Sequence, residues 1–310
     1  MFAPVSTSAG SIFGLSIFVL VTVTAIFIVV FALLAYAVVR FRKRGDAGNS
    51  EPVQIYGSTR VELAWTVIPV LIVVALFLAA ARVIALVQDP PHPPDALEVI
   101  VTGHQYWWEY RYPQLNIVTA NELHVPVSDA AHPRPIFLTL LSADTDHSFW
   151  VPRLGGKTDL IPNHPNQMWI DPHETGLFLG QCAQYCGTQH AKMLLRVYVQ
   201  SSGDFEQWVH NQQQKPTGDA SARGQRVFES TACVNCHTIS GTAARGRFGP
   251  DLTHLMSRDT IAAGAAPNTP EQLRLWIRNP DAIKPGSKMP AMGLTDGDVA
   301  AVATYLETLR

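Results

Sequence analysis

The apolar positions of the chain are massed at its start. Residues 11–39 read SIFGLSIFVLVTVTAIFIVVFALLAYAVV, and no charged side chain occurs before Arg40. A helix that crosses a bilayer needs about 20 such residues, so this run predicts a membrane span over about 12–39. It is longer than the apolar region of a cleaved signal peptide, about 7–15 residues, and no basic segment precedes it. A second run, LAWTVIPVLIVVALFLAAA at 63–81, lies between Glu62 and Arg82 and predicts a second span over about 62–87. Pro69 is tolerable there if a neighbouring helix satisfies the carbonyl it frees. Residues 1–94 are thus expected to form a two-helix transmembrane hairpin, with the lipid bilayer as its surroundings.

The pattern changes after the proline-rich break QDPPHPPDA at 88–96. LEVIVTGHQYWWEYRY (97–112) is rich in β-branched and aromatic residues. NELHVPV, PIFLTLLSA, QMWIDP, ETGLFLGQ and MLLRVYVQ follow, divided by Pro, Gly, Asn and Asp. Short strands separated by such turn signals predict an all-β sandwich or barrel, here over 95–205. The polar stretch HNQQQKPTGDASARG (210–224) predicts a linker, placed at 206–221. Beyond it the spacing is helical. ARGQRVFESTACVNCHTI, then TPEQLRLWIRNP with a Thr cap and a closing Pro, and TDGDVAAVATYLETLR predict a small all-α unit over 222–310.

Charge adds orientation. The formal net charge of the 310 residues is −2, which gives no reason to expect a nucleic-acid partner. The loop between the spans holds Arg40, Arg42, Lys43, Arg44 and Arg60 against Asp46 and Glu51. The positive-inside rule puts that loop in the cytoplasm. Both termini, and everything after about Val87, then lie outside the inner membrane.

The four cysteines form two pairs. Cys233 and Cys236 stand in CVNCH with His237, the pattern of covalent c-type haem attachment. Met256, Met289 and Met292 are candidates for the sixth iron ligand. Met289, in the Pro/Gly-rounded KPGSKMPAM, is favoured and Met292 is its rival. A His/Met pair raises the haem potential and suits electron transfer. The other pair, Cys182 and Cys186, stands in GQCAQYCGTQHAKM with His190 and Met193. A disulfide would not explain the histidine and methionine, and zinc gains little from a thioether. Thiolate, thioether and imidazole together select copper. A further imidazole is needed, and His147 in SADTDHSFWVP stands at a strand end just upstream.

At these residues the chain resembles subunit II of cytochrome c oxidase. DHSFWVPRLGGKTD with GQCAQYCGTQHAKM is similar to its dinuclear copper A motif, GHQYWWEYRYP to its aromatic electron-entry segment, and VELAWTVIPVLIV to its second membrane helix. CVNCHT and KPGSKMP resemble a fused cytochrome c domain, as in caa-type oxidases. The resemblance implies a multidomain chain: a transmembrane hairpin, a cupredoxin-like Greek-key sandwich and an all-α cytochrome c domain. It implies that Cys182 and Cys186 bridge two coppers, that His147 and His190 each bind one, and that Met193 and the Gln184 carbonyl are weak ligands. Tyr106, Trp107 and Trp108 would lie on the electron path, although the usual entry tryptophan after GHQ is Tyr106 here. Where relatives have a glutamate that also binds magnesium, this chain has Gln184, a poorer ligand for a hard cation. The start MFAPVSTSAG gives no sign of the processed leader some relatives carry.

The resemblance also implies partners and rivals. Glu62, at the start of the second span, would mark the entry of a proton path. Expected partners are oxidase subunit I, with haem a and the oxygen-reducing site, subunit III, and a donor cytochrome c or another periplasmic donor. No histidine occurs between 11 and 87, so this chain cannot itself hold a membrane haem–copper site. The alternative is the electron-input subunit of a copper A nitric oxide reductase. A free-standing carrier would need only one anchor. The intact ligand set speaks against a quinol oxidase subunit, and the lack of a histidine-rich catalytic domain against a nitrous oxide reductase.

Overall fold

The computed structural model describes residues 3–42, 53–54, 56–90, 92–129, 134–216 and 222–310. Lys43, Arg44, Asp46 and Glu51 of the expected cytoplasmic loop, and 217–221 of the expected linker, lie outside the described residues.

The first unit, Gly10–Pro90, consists of helices. α1 (Thr7–Arg40) and α2 (Thr59–Gln88) each start a few residues before the predicted spans and end one residue after them. α2 runs through Pro69 unbroken. Both are long and apolar enough to cross a membrane, and their apolar windows are not buried against protein. That exposure suits lipid as the surrounding solvent. Glu62 stands in the first turn of α2, where the helix dipole favours a carboxylate.

The second unit holds residues 1–9 and 91–310. Its first part is a sandwich of two five-stranded sheets. β1 (Leu97–His104), β2 (Trp107–Tyr112), β3 (Ile117–Ala120), β5 (Ile136–Ser142) and β8 (Asn166–Ile170) make one, in the order β3-β2-β1-β5-β8. β4 (Glu122–Pro126), β6 (His147–Trp150), β7 (Thr158–Leu160), β9 (Gly176–Cys182) and β10 (Leu194–Gln200) make the other, in the order β4-β10-β9-β6-β7. β1 pairs parallel with β5, and β10 parallel with β4, because the chain crosses between sheets in the Greek-key manner. Alternation along β1 and β5 turns Val99, Val101, Leu138 and Leu140 inward. Trp108, Tyr110, Tyr112, Phe149 and Val197 complete the core. Tyr112 is satisfied in that interior: its hydroxyl donates to the His124 carbonyl at 2.8 Å and accepts from the His124 amide at 3.0 Å.

The expected linker is partly a helix. α3 (Ser202–Gln213) starts on Ser201, whose side chain accepts from the Asp204 amide. It lays Phe205 and Trp208 on the sandwich core, with Val209 packed beside them, so the helix is docked on the sandwich and is not a free tether.

The last part is helical. α4 (Ala222–Ser230), α5 (Cys233–Cys236), α6 (Pro270–Arg278) and α7 (Asp296–Leu306) enclose a core that includes Phe228, Leu273, Val302 and Tyr305. Thr269 caps α6 as the sequence predicts, accepting from the Gln272 amide, and Thr295 caps α7 in the same way, accepting from the Asp298 amide. A two-stranded ribbon, β11 (Thr260–Ile261) and β12 (Ala266–Pro267), interrupts the helices.

Candidate metal centres

The loop after β9 gathers its donors because both of its ends are fixed. The Cys182 amide donates to the Met193 carbonyl at 3.0 Å, closing the base. Phe149 of β6 stands opposite Cys182 of β9, which brings His147 beside the loop. Six candidate donors then fall into two trios. Cys182 Sγ lies 3.8 Å from His147 Nδ1 and 3.2 Å from the Gln184 carbonyl oxygen. Cys186 Sγ lies 3.7 Å from His190 Nδ1 and 3.8 Å from Met193 Sδ. The two sulfurs are 3.9 Å apart. His147, Cys182, Cys186 and Met193 are all buried, whereas the Gln184 side chain is exposed.

The electrostatics suit a cation. The Cys186 S–H directed at Cys182 holds the Cys182 thiol far below the usual range, with His147 assisting against the effect of burial. The same partner pushes the Cys186 thiol up. One thiolate is thus already favoured, and a second would need a positive charge in the cage. Asp144 Oδ1 is 2.8 Å from His147 Nε2, which aims His147 Nδ1 at the sulfur. Burial works against the Asp144 carboxylate, but His147 and the backbone amides of Gln105 and Thr145 hold its pKa below the ordinary value. Sequence reasoning passed over Asp144. The only trace was a carboxylate three residues before the histidine in DTDH.

The aromatic segment adjoins this loop. The Tyr106 hydroxyl accepts from the Thr188 amide at 3.1 Å and lies 3.0 Å from Thr188 Oγ1. Gln105 Nε2 donates to the Cys186 carbonyl at 2.6 Å. The Trp108 ring is 6.0 Å from that of His147, centroid to centroid. Trp107 packs instead on Ala263 of the helical part.

Cys233, Cys236, His237, Met289 and Met292 line one cavity of about 730 Å³, which Tyr106 and Trp107 line as well. His237 Nδ1 donates to the Pro250 carbonyl at 2.8 Å, leaving Nε2 free for an iron. Burial lowers the His237 pKa, which keeps the imidazole in its neutral, ligating form. Gly249 lets the backbone approach that ring, since a Cβ there would lie 2.6 Å from His237 Cε1. Met256 packs on the module's core and is not among the cavity-lining residues. Met289 and Met292 both line the cavity, so both survive as candidates. The donor set and cavity fit paired soft-metal binding and a covalently attached haem.

A hairpin of apolar helices, a sandwich with a thiol–imidazole–thioether cage, and a helical module with CVNCH define a membrane-anchored one-electron carrier. Residues 3–83 match the family described as cytochrome c oxidase subunit II, transmembrane domain, and 131–200 match its periplasmic domain. Residues 221–310 match cytochrome c. Cytochrome c oxidase subunit 2 of Alkalihalophilus pseudofirmus is 32% identical over 99% of this chain and 90% of its own length. That of Bacillus sp. PS3 is 33% identical over 87% of this chain and 80% of its own. The crystal structure of the periplasmic domain of cytochrome oxidase subunit II from Bradyrhizobium japonicum is 31% identical, covering 39% of this chain and 95% of that one, with a TM-score of 0.36. The chain belongs to the cytochrome c oxidase subunit 2 family, in the form that carries a C-terminal cytochrome c domain. It is a subunit of an oxidoreductase, and its sandwich and helical domains imply copper A and haem c.

Proposed function

We propose that this chain is the electron-entry subunit of a respiratory oxidase, accepting electrons at its helical module and passing them through the copper loop to an oxygen-reducing partner. Bound there, haem c and a copper pair supply one-electron redox chemistry. Cys233 and Cys236 would hold the haem covalently, with His237 and Met289 as its iron ligands. Cys182 and Cys186 would hold the copper pair, with His147, the Gln184 carbonyl, His190 and Met193 as the further donors. Burial of the cage excludes water, and its doubly fixed loop limits movement when charge changes. Tyr106, Trp107 and Trp108 carry electronic coupling across the adjoining surface. The proposal includes no magnesium, because Gln184 offers only a neutral amide.

The partners are subunit I, with haem a and the haem–copper site, and subunit III, with a cytochrome c or another donor on the outer side. The hairpin anchors the chain in a bacterial plasma membrane with both metal-bearing domains outside. Glu62 takes a proton from the cytoplasmic side and passes it to a polar path in subunit I. Glu62→Gln, which keeps the shape but not the titratable proton, slows oxygen reduction by the assembled complex and leaves haem-to-copper transfer unchanged. Equal turnover by the variant and the parent would remove Glu62 from the proton path.

The observation that carries the reading is the pair of donor trios around two sulfurs 3.9 Å apart. Metal analysis tests it. The parent chain is expected to bind two coppers, and Cys182→Ser or Cys186→Ser each to lose both, because each thiolate serves both metals. Two coppers retained in either variant would end the assignment.

A further inference from the structure

The seam between the sandwich and the helical module is built around two buried charges. Lys284 is 2% exposed. Its Nζ donates to the carbonyls of Tyr106 at 2.8 Å, Lys192 at 2.8 Å and Ala262 at 3.1 Å. An ammonium has three protons and accepts nothing, so all its donors are used. Two of these carbonyls belong to the sandwich. Tyr106 is in the aromatic turn, and Lys192 lies between His190 and Met193 in the copper loop. The contact is reciprocated: Lys192 Nζ donates to the Ile283 carbonyl at 2.9 Å, and Gln189 Nε2 to the Pro285 carbonyl at 2.5 Å.

The second charge is Glu122, 1% exposed, at the start of β4. Its carboxylate accepts from the Asp259 amide at 3.0 Å, the Thr260 amide at 2.9 Å and Thr260 Oγ1 at 2.7 Å. Between the two pins, the Leu194 amide donates to the Ala263 carbonyl at 3.2 Å.

Buried charges are a poor route to stability, since apolar side chains of the same size often serve as well or better. What they supply is a fixed arrangement, because moving either loop strands a charge without its partners. Lys284 stands five residues before Met289. One side chain therefore ties the loop that carries the candidate haem ligand to the loop that carries the copper donors.

We infer that Lys284 is a positioning residue for electron transfer, holding the Met289 loop against the copper loop at a fixed separation, with Glu122 as a second pin. The inference rests on the proposed electron path. It makes the haem module a docked donor and not a tethered, diffusing one.

The test uses the full chain, loaded with copper and haem, and Lys284→Met, which keeps length and removes every donor. Haem and copper spectra should match the parent, while first-order haem-to-copper transfer falls severalfold, because the separation and coupling of the two centres are no longer held. In the metal-free chain, hydrogen exchange at the Leu194 and Thr260 amides should quicken. Glu122→Gln, a milder change, should show the same pattern with a smaller fall, and carries the test if Lys284→Met does not fold. Parent-like transfer with intact spectra in both variants would overturn the inference. So would a rate loss that only tracks loss of the copper or haem spectrum, which would make Lys284 part of the fold alone. Absence of transfer in the parent chain itself would instead defeat the proposed path.

Discussion

At the scale of single residues, convergence of the candidate donors depends on how many elements supply them. Cys182, Cys186, His190 and Met193 are neighbours in sequence, and the structure brings them together because one loop needs little else to converge. His147 was readable only as a histidine at a strand end, and the pairing of β6 with β9 is what delivers it to Cys182. Asp144 and Lys284 act through hydrogen bonds that depend on tertiary placement, so spacing could not reveal them. His124 is a further residue hidden from the sequence. Its ring is stacked between Tyr198 and Trp208, at centroid distances of 4.8 and 4.5 Å. Burial pulls its pKa down to about 4. In the unfolded chain it titrates near 6.5. Between these values the unfolded chain binds a proton that the folded chain refuses, so stability rises as pH increases from about 4 to 6.5 and falls as pH drops. The full effect is about 3 kcal/mol. Thermal melts of the metal-free chain across that window should show this slope, and His124→Phe should flatten it. A variant with an unchanged slope would assign the acid sensitivity to other groups.

At the scale of elements, long runs and strong caps were readable. The two membrane helices, the N-cap of α6 and six of the strand-bearing segments follow from hydrophobic period and turn residues. β3, β6 and β7 have three or four residues each, too few for a period to register. The end of α3 reads as linker because Gln and Asn dominate it, and few of its side chains, chiefly Phe205 and Trp208, reach the core. The loop between the short 3-10 turn Pro280–Ala282 and α7 carries both Met289 and Met292, and spacing does not separate them. Met289→Ala is expected to erase the sulfur-to-iron charge-transfer band of the oxidised haem and lower its potential, because a thioether favours the reduced iron. Met292→Ala is expected to do neither. Optical titration of both variants decides the ligand, and the opposite pattern would move the assignment to Met292.

At the scale of the whole molecule, the sequence divides the chain into an anchor, a sandwich and a helical module, but it is silent on how the last two meet. Their seam is made mainly of backbone carbonyls and amides held by Lys284 and Glu122, and any residue offers those groups. Trp107, placed by the family resemblance on the electron path, is 8% exposed and packed on Ala263 of the chain's own helical module. That packing places Trp107 against the helical module that the proposed electron path starts from. The account's central claim is that one chain passes electrons from its haem module to its copper loop. Flash reduction of the haem in the fully loaded chain, followed by the copper absorbance, measures this directly. The account predicts copper reduction matching haem reoxidation, first order and independent of protein concentration. A haem that stays reduced beside oxidised copper, or a rate that scales with concentration, would contradict it.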